Sequence, residues 1–238
     1  MESAPSASVR AGTPEIRLEG VSKTYCRGGV PVNALRQVDL LIRSGEFTAV
    51  MGRSGSGKST LLHILGLVDT DYEGAYHLAG RQVSGYSADA LSGLRNRQIG
   101  FIFQAFYLLP QLSILDNTGL PALYAGDYSP EECRARARAR LEQLGLGDRL
   151  LHRPHELSIG QRQRAAIARA LVNEPRLLLA DEPTGALDSK TAREILDIFV
   201  QLHRAGSTIL LVTHDHEVAA VAERVIHVSD GQIQDGVA

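Results

Sequence analysis

The stretch Gly52-Arg53-Ser54-Gly55-Ser56-Gly57-Lys58-Ser59-Thr60 follows an apolar run, FTAVM, and precedes LLHILGL, whose apolar spacing is helical. Glycines so spaced let several main-chain N–H groups converge on one anion, and the start of the following helix adds about half a positive charge. The pattern GxxxxGK[ST] between a strand and a helix is a loop for nucleotide phosphates. Lys58 bridges the β- and γ-phosphates, and Ser59 offers its hydroxyl to Mg²⁺. Arg53 is not demanded by the pattern and is expected to face solvent.

Phosphate chemistry also needs a carboxylate for the metal and a group that activates water. The run LLLADE ends in two adjacent acids: Asp181, acting on Mg²⁺ through its waters, and Glu182 as general base. The competing reading is that the pair caps the next helix, since Pro183 forces a turn. The run TILLVT delivers His214 at a carboxyl strand end, where open α/β sheets place their ligands. A further turn, Leu157-Ser158-Ile159-Gly160-Gln161, opens the helical run before AAIARALV. Ser-x-Gly-Gln at a helix start looks like a phosphate-binding turn, yet Ile159 stands where backbone approaching an anion calls for Gly. Either the turn holds no phosphate or it tolerates a side chain. A negative φ at 159 makes Ile cheap; a positive φ strains it by roughly 1 to 3 kcal/mol.

These groups need a scaffold. Near-continuous apolar runs at Phe47 to Met51, Gln98 to Phe103, Leu177 to Ala180 and Thr208 to Thr213 read as strands covered on both faces. Helices fill the gaps at Thr60 to Leu67, Gly160 to Leu171 and Ala192 to Arg204. That alternation predicts an α/β fold with a largely parallel central sheet. From about Ala105 to Asn173 the strand pattern stops, which predicts a helical insertion. Within it, Ser129-Pro130-Glu131-Glu132 supplies an N-cap, a Pro at the first helical position and a capping-box Glu. Arg134, Arg136, Arg138 and Arg140 then alternate, so they fall on different helix faces and read as a solvated surface.

The chain has 238 residues, 44% of them hydrophobic, enough for one sizeable core. A net charge of −2 argues against a dedicated nucleic-acid binder. Cys26 and Cys133 match no metal or redox spacing and read as reduced thiols. Residues 1–14 are small and polar without the apolar core of a secretory signal, the composition of a disordered tail. No run reaches the roughly 18 to 20 apolar residues of a membrane span, so a membrane role has to come through a partner.

Taken together, the motifs make the chain resemble the ATP-binding subunit of an ABC transporter, over essentially Glu15 to Ile233. The phosphate loop is joined by Gln104 after QIGFIF (the Q-loop), LSIGQ (the signature, LSGGQ in the family), LLLADE, Ala186-Leu187-Asp188 (the D-loop) and His214 (the switch histidine). Tyr25 in VSKTY matches the aromatic that stacks on adenine. The resemblance implies a P-loop NTPase domain over 15–238, with an N-terminal antiparallel β portion and a helical subdomain near 105–173. It also implies ATP and Mg²⁺ as ligands and a head-to-tail dimer. Each ATP then lies between Gly52 to Thr60 of one copy and Ser158 and Gly160 of the other, with Gln161 nearby. Gln104 touches Mg²⁺ or the water and reports to a membrane subunit, His214 holds the γ-phosphate, and Asp188 links the two sites. Strain at Ile159 in such a closed dimer would slow hydrolysis by one or two decades.

Within the family, LRNRQIGFIFQAFYLLPQLSILDN and LADEPTGALDSKT are similar to the group serving lipoprotein release and macrolide or peptide export, in which the ATPase assists an integral membrane permease. That implies a cytoplasmic chain, peripheral on the inner face of the cell membrane. Arg162 departs from the further Gln typical after the signature. Two rivals remain: a P-loop nucleotide kinase, which would not need Gln104, the signature and His214 together, and a non-transport member of the same group, such as a cell-division regulator.

Overall fold

The computed structural model describes residues 14–28 and 30–235. The expected tail over 1–14 lies outside them except for Pro14, which starts the first strand. That strand, β1 (Pro14–Arg27), pairs antiparallel with β2 (Val30–Arg43) through several register shifts. β3 (Phe47–Met51) is buried throughout, as its near-continuous apolar run requires. The helix α1 (Lys58–Leu65) begins two residues before the expected Thr60, because Gly57 takes a left-handed N-cap conformation at φ +110°. β4 (Glu73–Leu78) and β5 (Arg81–Gln82) complete a four-stranded sheet of order β2-β1-β4-β5.

α2 (Ala88–Gln98) starts at the cap of Ser87 and runs directly into β6 (Ile99–Phe103). Gln98, expected to open the strand, therefore closes the helix. Between 105 and 173 the regular elements are α3 (Ile114–Ala125), α4 (Pro130–Gln143), one 3₁₀ turn at Pro154–Glu156 and α5 (Ile159–Leu171). α4 carries the expected capping box: Glu132 N–H donates to Ser129 Oγ and Ser129 N–H to Glu132 Oε2. Three of the four alternating arginines are not simply solvated. Arg134 pairs with Asp116 of α3, while Arg136 and Arg140 both reach Glu174 and Arg136 also donates to the Val172 carbonyl. They tie α4 to α3 and to the end of α5.

β7 (Leu177–Asp181), α6 (Ser189–Arg204), β8 (Thr208–Thr213), α7 (His216–Ala219), β9 (Arg224–Ser229) and β10 (Gln232–Asp235) finish the chain. α6 starts before the expected Ala192 because Asp188 caps it, accepting from the N–H groups of Lys190 and Thr191. The second sheet has the order β10-β9-β3-β8-β7-β6, parallel except for the β10 edge. The fold is α/β, with an antiparallel N-terminal sheet and a mostly parallel central one.

Alternation along the strands separates two cores. Leu177, Leu179, Leu210 and Val212 join α1 and the four-stranded sheet in one cluster, whereas Leu178, Ala180, Ile209 and Leu211 join α3, α5 and α6 in the other. Each buried Leu or Ile contributes on the order of 1.5 to 3 kcal/mol. Two glycines permit the closest approaches. A side chain on Gly66 would run into the Phe101 ring, and one on Gly52 into the Val228 carbonyl.

Candidate active site

The site follows from strand register. Met51 of β3 stands opposite Thr213 of β8, Val212 opposite Asp181 of β7, and Asp181 opposite Phe103 of β6. The next residues along each strand are Gly52, His214, Glu182 and Gln104. Four parallel strands thus release the phosphate loop and three polar side chains along one carboxyl edge, where α/β sheets bind ligands.

The loop is wedged between neighbours. Gly231 N–H donates to the Ser56 carbonyl at 3.0 Å, and Arg36 N–H to the Gly231 carbonyl at 2.8 Å, which clamps the turn between the edge hairpin and β2. The Lys58 ammonium donates to the carbonyls of Gly52 (2.7 Å) and Arg53 (2.9 Å), so it lies across the mouth of the loop. Arg53 and Ser54 are exposed, as expected of Arg53, whereas the Ser56 hydroxyl is buried without a hydrogen-bond partner among the described residues. Gly55 and Gly57 both take positive φ, turning main-chain N–H groups as a phosphate nest requires. Ser59 and Thr60 occupy the first turn of α1.

Glu182 sits at φ +45°, a left-handed conformation that costs a non-glycine residue about 1 kcal/mol or more. Its N–H is tied to the Val212 carbonyl at 2.9 Å. Both carboxylate oxygens are committed. His214 Nδ1 lies 2.6 Å from Oε1, and the Thr213 hydroxyl donates to Oε2 at 3.2 Å. A carboxylate only accepts, so Nδ1 carries the proton and Nε2 is the atom left for another partner. This bond, with the charge of Glu182, raises the His214 pKa above its ordinary value. Burial and the Glu182 charge raise the Asp181 carboxyl, opposed by His63 and Lys58. A half-buried pair of acids held at that cost is a fitting seat for a divalent cation. Lys58 acts on both Asp181 and His214, so loop lysine, strand-end acids and histidine form one cluster.

Gln104 is exposed and its amide lies against the turn after β7: a Cβ placed on Gly185 would meet Gln104 Nε2 at 2.8 Å. Past it, Phe106 and Tyr107 both take positive φ, and Arg169 of α5 donates to both of their carbonyls. The family outlier Arg162 lies 5.5 Å from the Phe106 ring centroid.

The signature residues form a second group. Ser158 caps α5: Gln161 N–H donates to Ser158 Oγ (3.2 Å) and Ser158 N–H to Gln161 Oε1 (3.0 Å). Leu157 is buried and Ile159 is exposed in the first helical turn at negative φ. The expectation of strain at Ile159 therefore falls in its costless branch. Gly160 packs on Thr191, whose hydroxyl donates to Asp188 Oδ2 at 2.7 Å, so signature and D-loop residues adjoin. The Thr191 hydroxyl is also the largest cause of the lowered Asp188 pKa. Ala186 and Leu187 complete the turn, with Leu187 N–H donating to the Thr184 carbonyl. Among the described residues no hydrogen bond or ion pair joins the signature turn to Lys58 or Ser59 of the same chain. Tyr25, on β1, places its hydroxyl against Thr60 and Asp69.

Three supporting residues escaped the sequence reading. Gln163 is fully buried and donates to the Pro183 carbonyl at 2.8 Å, fastening α5 to the turn after Glu182. A polar residue on the apolar face of that helix was the available sign. Thr213 orients Glu182 and Arg169 holds the segment after Gln104, neither of which spacing reveals.

Known proteins resemble this chain in sequence and in fold. The ABC transporter family model matches residues 35–185. The chain is 50% identical over 223 residues to a macrolide export ATP-binding/permease protein of Brucella melitensis, covering 94% of this chain and 34% of that protein. It is also 50% identical over 218 residues to the ABC transporter ATP-binding protein YknY of Bacillus subtilis, covering 92% of this chain and 94% of that one. The chain thus spans about a third of the macrolide export relatives it matches. Among solved structures, the dimeric post-hydrolysis ATP-binding cassette MJ0796, bound to ADP and Pi, superimposes with a TM-score of 0.85 at 42% identity, over 94% of this chain and 99% of that one. The chain belongs to the ABC transporter family, and within it is an ATP-binding cassette.

Proposed function

We propose that two copies of this chain bind ATP between them and hydrolyse it to drive an integral membrane permease of the export or lipoprotein-release type. The observation that carries this reading is the split of the phosphate-binding features into two groups: the edge bearing Lys58, Asp181, Glu182 and His214, and the exposed turn at Ser158. A turn at an exposed helix N-terminus, with no bond to its own loop among the described residues, is suited to phosphate arriving on another copy. The dimeric form of the MJ0796 cassette supports the same arrangement.

In this reading the loop Gly52 to Thr60 cradles the phosphates, and Lys58 turns from its own carbonyls to the β- and γ-oxygens. Mg²⁺ would neutralise phosphate charge, held by Ser59, Gln104 and Asp181. Glu182 takes the proton of the attacking water; Thr213 and His214 hold its carboxylate in place, and His214 Nε2 faces the γ-phosphate. Tyr25 stacks on the base. Asp188, anchored by Thr191, transmits between the two sites. Residues 105–173 act as a helical subdomain within an ATP-binding domain spanning 15–238. Among the described residues no helix is long and apolar enough to cross a membrane, so attachment to the inner face of the cell membrane rests on the permease. No nucleic acid takes part.

Phosphate release from ATP and Mg²⁺ without any small-molecule acceptor tests the reaction, since a nucleotide kinase would need one. Glu182→Gln is expected to keep ATP binding and lower hydrolysis by about 10² to 10⁴. A variant hydrolysing at the parental rate would refute the base assignment.

A further inference from the structure

Tyr25 is half exposed, yet its ring is not loose. The phenol donates to Asp69 Oδ2 at 2.8 Å, and the Thr60 hydroxyl approaches the phenol oxygen. Asp69 is itself fixed. Its Oδ1 accepts from the Lys23 ammonium at 2.9 Å and from Asp71 N–H at 3.2 Å. Lys23, with only 5% of its side chain exposed, also donates to the Asp71 carbonyl and lies 3.3 Å from Asp71 Oδ2. The ammonium stands 4.9 Å from the Tyr25 ring centroid, over the ring. Residues from β1 and from the segment after α1 thus converge on one aromatic side chain beside the phosphate loop.

We propose that Asp69 is a positioning residue for nucleotide binding, tethering the Tyr25 phenol, with Lys23 as its clamp, so that the ring is fixed as a platform for the base. The proposal rests on the ATP reading above and adds residues that reading does not contain. A half-exposed tyrosine loses rotamer freedom when a base stacks on it; a ring already tied down does not, so the tether contributes to affinity by preorganisation. The phenol proton is spent on Asp69. The base therefore meets the ring face, a contact that tolerates any purine, and Lys23 covers the other face. The Asp69 carboxylate bonds to the Tyr25 phenol, to Lys23 and to Asp71 N–H, and among the described residues to none of Gly52 to Thr60, so its effect belongs to the base and not to the phosphates.

The test compares ATP with inorganic triphosphate, which has no base, by calorimetric titration of the full chain. Asp69→Ala and Tyr25→Phe each remove the same hydrogen bond from opposite ends, Asp69→Ala also releasing the Lys23 ammonium and Asp71 N–H. Each is expected to raise the Kd for ATP about fivefold, the factor given by a net hydrogen bond of about 1 kcal/mol. The double variant should be no weaker than either single one, the non-additivity of two groups sharing one bond. Asp69→Asn, which keeps an acceptor for the phenol, should recover most of the loss. Triphosphate affinity of Asp69→Ala should stay within about twofold of the parent. An unchanged ATP Kd in Asp69→Ala, fully additive single effects, or an equal loss for triphosphate would overturn the tether and leave the nucleotide reading standing. A parent chain that binds neither compound would remove both.

Discussion

Gly160 offers the sharpest test of how the signature turn is built. A methyl placed on it would sit more than roughly 1 Å inside the ordinary 3.5 Å separation from the Thr191 γ-methyl, while Thr191 Cβ and Oγ1 lie at unstrained distances of 3.8 and 4.0 Å. Thr191 cannot simply rotate, because its hydroxyl donates to Asp188 Oδ2 and Asp188 also accepts two backbone N–H groups. Gly160→Ala must therefore break that bond, at about 1 kcal/mol, or push α5 from α6, at about 1 to 3 kcal/mol. Against this stands up to about 1 kcal/mol of helix propensity gained by Ala over Gly. The expected net cost lies between near zero and about 2 kcal/mol, read by urea denaturation of the nucleotide-free chain. Thr191→Ser removes the obstructing methyl and keeps the hydroxyl. In that background Gly160→Ala should become neutral or mildly stabilising, a coupling of about 1 to 2 kcal/mol. Equal destabilisation in both backgrounds would refute the packing argument and locate the role of Gly160 in ligand contact alone.

Ile159→Gly tests the neighbouring position: with negative φ there is no strain to relieve, so the change should destabilise the chain by about 0.5 to 1 kcal/mol through helix entropy, and a stabilised variant in thermal denaturation would contradict that. The His214 imidazole, followed by NMR, should titrate above its ordinary value, and Glu182→Gln should return it toward that value. Since the folded pKa is the raised one, the pair's contribution to stability is fully present below the unfolded pKa of about 6.5 and is lost as pH rises through the folded value. An unchanged midpoint in Glu182→Gln would disprove the pairing.

What the sequence disclosed depended on how uniformly an element is buried. β3 and β8 have their expected bounds because every residue in them is covered and all but their threonines are apolar. β1 and β2 were invisible to periodicity. Register shifts between Leu18, Val21 and Lys23 break the alternation, and the first four residues of β2 are exposed. α2 buries only Leu91, which leaves no stripe to find. Helix starts at Lys58 and Ser189 were missed because a left-handed Gly57 and the cap Asp188 each carried a functional reading that hid the structural one. Asp181, Glu182, His214 and Lys58 could be named from type and strand context, but the bonds of Thr213, Gln163, Arg169 and Asp69 arise only from three-dimensional proximity. Ile159 shows the converse: its identity raised a question that only the backbone angle answers.

The central claim is that one nucleotide is gripped by Lys58 of one copy and Ser158 of another. Sedimentation of Glu182→Gln with ATP and Mg²⁺ tests it most directly when compared with Glu182→Gln/Ser158→Arg. The account predicts twice the monomer mass for the first, and for the second a monomer that still binds ATP by equilibrium dialysis. A dimer that survives Ser158→Arg, or no ATP-dependent dimer in Glu182→Gln, would contradict it.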